Sequence, residues 1–189
     1  MIRSCKTNHL SGIYLLVLLL ACCIGPVWAE SSAAEINHQA RAALAKLYRD
    51  VPAAKALGME AVGIMVFPNV IKGGFIIGGQ YGDGALFKKV KTAGYYRLTS
   101  ASYGLQAGAQ TFGYALFFMT PSALRYLQES EGWEIGVGPS IVVMDEGLAR
   151  DLTTTTAKED IYAFVFGQEG LMAGLGIQGS KITRIDPNP

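Results

Sequence analysis

From residue 33 to residue 50, apolar side chains recur at steps of three and four: Ile36, Ala40, Ala43, Leu44 and Leu47, continued by Val51. That spacing predicts an amphipathic helix, with Arg41, Lys46 and Arg49 off the apolar stripe. Pro52 suits a first helical turn and opens a second, short helix over "PAAKALGMEA". After Gly63 the period changes. "GIMVF" is a β-favouring run closed by Pro68 and Asn69, and "GGFIIGGQY" and "GALFKKV" are two more. The Asp83, Gly84 pair between the last two predicts a hairpin. "GYYRLTSASYGLQAGAQTFGYALFFM" predicts two or three further strands. Thr120 as cap and Pro121 at the first helical position predict a helix to about Glu131, stopped by Gly132. "WEIGVGPSIVVM" reads as strand, and residues 145–160 as an exposed loop. "IYAFVF" and "LMAGLGIQGSKITRI" read as a closing hairpin around Gln168, Glu169 and Gly170. The expected class is α+β: a glycine-rich, mainly antiparallel sheet, curled or barrel-like, with N-terminal helices and one mid-chain helix.

The chain has 23 glycines, and two clusters invite a nucleotide reading. One is "VFPNVIKGGFIIGGQYGDGALF", which contains Lys72. The other is "GLGIQG", residues 174–179, a literal GxGxxG. A phosphate loop needs a strand, a compact glycine turn and then a helix whose N-terminus faces the anion. Here β-type residues continue on both sides of the first cluster. Around the second, Leu171, Ala173, Leu175 and Ile177 alternate with glycine and polar residues at a period of two. Both clusters are therefore read as strand. Glycine on a sheet face lets another backbone or a ring come close, or lets the sheet coil tightly. Gly136 and Gly138 are read the same way.

The first 29 residues differ from the rest. Arg3 and Lys6 precede an apolar run over residues 13–24; Pro26 breaks it, and "VWA" offers a small-residue cleavage site before Glu30. This is the pattern of a secretory signal peptide, followed by a single domain over residues 30–189. Export to the periplasm is expected. "LLAC" supplies the alternative, a lipoprotein cut with Cys22 acylated and the domain tethered to a membrane. Cys5, Cys22 and Cys23 are the chain's cysteines, so the segment from Glu30 onward has none for a disulfide, a nucleophile or a thiolate metal site. His38 is its single histidine. No GxSxG is present, and the acids Asp145, Glu146 and Asp151 lack EF-hand spacing and read as a solvated loop. The expectation is a non-enzymatic protein with no cofactor and no nucleotide or nucleic-acid partner.

Charge is unevenly placed. Without Arg3 and Lys6 there remain 14 bases against 15 acids. Residues 68–103 hold Lys72, Lys88, Lys89, Lys91 and Arg97 against Asp83 alone, whereas residues 129–160 hold eight acids and two bases. A basic cluster of this kind faces an anionic surface or is simply a solvated face.

Four motifs in order, "VFPNVIKGGFIIGGQYGDGAL", "YYRLTSASYGLQAGAQ", "GWEIGVGPS" and "FVFGQEGLMAGLGIQGSKITRI", resemble the SYLF domain over about residues 36–185. That family includes yeast actin-patch (Las17-binding) regulators and animal proteins joining the domain to SH3 or FYVE modules; bacterial members are mostly single domains behind a signal peptide. The resemblance implies binding to phosphoinositides or other anionic lipid through an N-terminal amphipathic helix and a basic surface. By position, Arg41, Lys46 and Arg49 match the helix, and Lys72 falls in the shared "KGGF" element. With Lys88, Lys89, Lys91 and Arg97 these form the candidate lipid-binding set. Actin is not the expected partner of an exported protein. The alternative function is an envelope interaction module that self-associates through strands or opposite charged faces.

Overall fold

The computed structural model describes residues 31–144 and 159–188. The expected signal segment, Cys22 and the loop carrying Asp145, Glu146 and Asp151 lie outside them. Helix α1, Ala33–Asp50, is capped by Ser32, whose hydroxyl accepts the Glu35 amide at 3.2 Å. Helix α2, Pro52–Glu60, begins with its proline. Strand β1 spans Gly63–Lys88 and β2 spans Lys91–Phe118. There follow α3, Pro121–Glu129, then β3, Trp133–Glu134, β4, Ile141–Met144, and β5, Ile161–Ile185. The sheet order is β1-β2-β5-β3, and β4 also pairs with β5, in parallel; the other pairs are antiparallel. The class is α+β with a curled, mainly antiparallel sheet, as the patterning predicts.

The strands are longer and fewer than the sequence implies. No hairpin forms at Asp83 and Gly84; they sit within β1, opposite Arg97 and Tyr96. The turn comes at Lys89 and Val90, where Lys88 pairs with Lys91 and Lys89 takes φ 55°. An Asp-Gly pair favours a turn locally, but pairing in that register would leave Ala85, Leu86 and Phe87 out of the core they fill. Residues 91–118 likewise form one strand, and β5 replaces the second expected hairpin. Gly167 (φ 59°) and Gly170 (φ 98°) there form a bulge, facing the register break between Thr111 and Gly113. Gly136 (φ 97°) and Gly138 (φ 94°) are turn residues between β3 and β4, not strand glycines; the Trp133 indole closes that turn by donating to the Val137 carbonyl at 2.9 Å.

β1, 26 residues long, would reach about 85 Å if straight. It doubles back instead. A Cβ on Gly84 would strike the Val66 carbonyl, and one on Gly82 would lie 3.1 Å from the Val70 Cα. At the bend a Cβ on Gly74 would strike the Gly78 Cα. Ile76, with φ 64°, sits between these two glycines, and β2 carries residues 104–106 around it. The β1–β2–β5 ribbon is thus folded in two about the "GGFIIGG" stretch, and both glycine clusters lie in strand with no helix behind them.

The two halves of the ribbon meet at a base. Side chains alternate there between two buried clusters. Met65, Phe67, Leu86, Leu116 and Phe118 face Leu124 and Leu127 of α3 and Trp133. Ile64, Val66, Phe87, Ala115 and Phe117 face Ile36, Ala40 and Leu47 of α1, with Ala54 and Leu57 of α2. Covering both faces explains why residues 63–67, 114–118 and 161–164 are apolar without interruption. Among the described residues no helix packs on the fold of the ribbon.

Candidate functional site

The bases predicted from sequence do not share one face. The first group is built on the β1–β2 turn. Lys88, Lys89 and Lys91 are all exposed there, and Val90 at the apex is 78% exposed. Arg41 of α1 holds this turn in place. Its guanidinium donates to the Val90 carbonyl at 2.9 Å and to Asn37 Oδ1 at 3.1 Å, and it lies 4.7 Å above the Phe87 ring. Thr92 donates to the same Asn37 oxygen at 2.9 Å. Lys88 reaches Gln128 of α3 at 3.2 Å. Arg41 is therefore a positioning residue, and three lysines within four positions project from the turn that it fixes.

The second group lies half-way along the ribbon. Lys46 and Arg49 line a groove of about 430 Å³ with His38, Asn69, Gly167 and Glu169. They are three apart, hence neighbours on one helix face. The apolar stripe of the same helix is spent on the core, with Ile36, Ala40 and Leu47 buried. α1 therefore presents its bases to a surface while its apolar side is already occupied.

Lys72 is apart from both groups. It lines a cleft of about 350 Å³ inside the folded ribbon, with Gln80, Gln110 and Gln168 near it and Leu98, Phe112 and Tyr114 as apolar wall. Arg97 is committed elsewhere: its Nε is 2.7 Å from Asp83 Oδ1 and its Nη2 is 3.0 Å from Oδ2, and it lies 5.0 Å above the Tyr81 ring. The two residues face each other in the β1–β2 register, and the pair is charge-neutral. Cys22 lies outside the described residues.

Burial pushes the Tyr48 and Tyr114 phenols up to about 12, so both stay neutral. Among the described residues no three His, Cys, Asp or Glu side chains converge as metal ligands. Asp160 is held below the usual carboxylate range chiefly by the Thr120 hydroxyl, which donates at 2.9 Å, and also by the Ser140 amide. Its role is to tie the starts of α3 and β5 to the residue before β4. Among the described residues no helix is long and apolar enough to cross a membrane.

Sequence reasoning missed the fold of the ribbon itself. Phe75 (75% exposed), Ile77 (69%), Tyr103 (69%) and Leu171 (89%) stand there in solvent. The legible signal was charge: residues 73–82, 98–118 and 170–180 contain no Asp, Glu, Lys or Arg.

No curated protein matches the chain. The model of the Ysc84 family, described as Las17-binding protein actin regulator, matches residues 99–187, from within β2 to beyond β5. Over those residues, somewhat under half of the chain, the sequence is similar to the Ysc84 family, in keeping with its resemblance to the SYLF domain.

Proposed function

We propose that the protein is a non-enzymatic, anionic-lipid-binding domain of the cell envelope, docking through the β1–β2 turn. The observation that carries this reading is the set Lys88, Lys89 and Lys91 on one exposed turn, locked by Arg41. A rigid turn presents its charges together without a large ordering cost on contact, and each lysine near an anionic bilayer gains about 1 kcal/mol. The family's association with lipid and with actin regulation is compatible with such a surface. The signal-like pattern of the N-terminal segment supports a reading of export, under which envelope lipid is favoured over actin. The headgroup is any accessible anionic one, phosphatidylglycerol being a suitable probe.

The test is co-sedimentation of the full chain with phosphatidylglycerol-containing vesicles across a salt series. Changing Lys88, Lys89 and Lys91 together to Gln is expected to weaken binding on the order of a hundredfold at low salt. Unchanged binding by that variant overturns the assignment of the turn. Salt-dependent self-association with no vesicle binding overturns the lipid reading in favour of an interaction module.

A further inference from the structure

We infer that the fold of the β1–β2–β5 ribbon is a second membrane contact, an apolar tip that enters the outer layer of a bilayer independently of the basic turn. Three paired rungs define it. Gly73, Ala109 and Leu171 make one; Phe75, Ala107 and Ala173 the next; Ile77, Tyr103 and Ile177 the third. Phe75, Ile77, Tyr103 and Leu171 are exposed on these rungs, and Ile76 at the bend is 45% exposed. Gly74, Gly78, Gly79 and Ala101 adjoin them, and the polar residues of these segments, Ser102, Gln106 and Gln178, carry no charge. Soluble domains seldom leave so many large apolar residues together in water unless something covers them.

The occupant is read from the charges. The apex carries none, so nothing there resists transfer into an apolar medium. Going down from it, the first charges are Lys72 and Asp83 on β1, Arg97 on β2, and Glu169 and Lys181 on β5. Asp83 and Arg97 cancel. Lys46 and Arg49 of α1 stand beside Gly167 and Glu169 at this level. The collar is therefore basic on balance, with Lys72, Lys181, Lys46 and Arg49 against Glu169 and Glu134, the latter opposite Lys181 across β3 and β5. A charge-free apex above a basic collar is complementary to the two layers of a lipid leaflet, acyl chains over phosphates. A second copy of the chain would meet this collar with the same sign of charge.

The collar also limits depth. Lys72 and Lys181 lie four or five residues from Ile77 along paired strands, about 17 Å at most. Gln80 comes between, and Thr99 and Gln110 stand on the rungs of Lys181 and Lys72, so amides and a hydroxyl lie at the headgroup level. The tip thus sits in the interface and does not span. It lies about 35 Å of strand away from the Lys88–Lys91 turn, so it is a separate contact and not an extension of the first.

The experiment uses the full chain with Ile77→Trp and vesicles of phosphatidylcholine, with or without phosphatidylglycerol. The emission of the added indole is taken as the difference from the chain without that substitution. The inference expects a blue shift with both vesicle types that survives high salt, and stronger quenching by bromine near the headgroup than deep in the chains. A Phe75→Ser, Ile77→Ser and Leu171→Ser variant is expected to lose at least about tenfold in partition to phosphatidylcholine. These side chains are exposed, so its unfolding midpoint serves as the check that it folds. Emission at position 77 that ignores vesicles, while the chain still sediments with anionic ones, overturns the tip and leaves the basic turn standing. A shift that depends on protein concentration and needs no vesicles also overturns it, in favour of a second copy. A shift with both vesicle types but no preference for anionic lipid upholds the tip and removes the basic turn.

Discussion

The same three strands build two regions that behave in opposite ways. At the base, glycine in β1 brings backbone against backbone: Gly84 fits only because no Cβ meets the Val66 carbonyl and the Phe67 ring. At the tip, Gly179 on β5 has nothing within 4 Å of where a Cβ would stand. One composition thus serves packing at one end and an uncovered apolar surface at the other. Glycine content alone does not say which; the presence of a covering layer does. α1 and α2 on one side and α3 with Trp133 on the other cover the base and stop short of the bend.

The largest effect that separates the regions is expected at Gly84. Valine there forces its branched side chain into the Val66 carbonyl, and neither half of β1 can retreat without opening both core clusters. The expected loss is about 3 kcal/mol or more, lowering the thermal midpoint on the order of 10 °C. Calorimetry of the variant checks it. A midpoint unchanged within a degree or two would mean that the base is not packed as tightly as its glycines imply, and the contrast with the tip would collapse.

A smaller effect probes how the base is tied at its rim. Asp160 accepts from Thr120 and Ser140, and those bonds hold its carboxyl below the ordinary range. A carboxyl depressed in the folded state stabilises the fold above its unfolded pKa, and that contribution disappears as pH falls through the folded value. The thermal midpoint is therefore expected to drop more steeply below about pH 4 in the unsubstituted protein than in Asp160→Asn. The slope of midpoint against pH decides. Equal slopes in both proteins would show that Asp160 does not link the starts of α3 and β5 in the folded state.

Much of the base was legible. The three-and-four spacing of Ile36, Ala40 and Leu47 gives α1, and the Thr120, Pro121 pair gives the start of α3. Uninterrupted apolar runs at residues 63–67 and 161–164 mark strands buried on both faces. The hairpins were not legible, because an Asp-Gly pair reports a local preference, whereas the turn at Lys89 follows from pairing 26 residues of β1 with β2. The basic set was legible by count but not by position. Sequence cannot show that Arg97 faces Asp83 across the ribbon, or that Arg41 is used to fix the turn. The tip was hidden because its residues alternate like any half-buried strand; the absence of charge in all three paired segments was its one mark.

The smallest effect is expected at the tip itself, and smallness is the point. Gly179→Ala meets open space and removes backbone freedom from the unfolded chain. Leu171→Ser exchanges one exposed side chain for another, since Leu171 is 89% exposed. Both are expected to leave the unfolding free energy within about 0.5 kcal/mol of its starting value. Chemical denaturation with urea measures this directly, and the slope of the transition should not change because the surface exposed on unfolding is the same. A loss of 2 kcal/mol or more at Leu171 would mean that this side chain is covered in the free protein. The tip would then belong to the core, and the difference between the two ends would be one of degree.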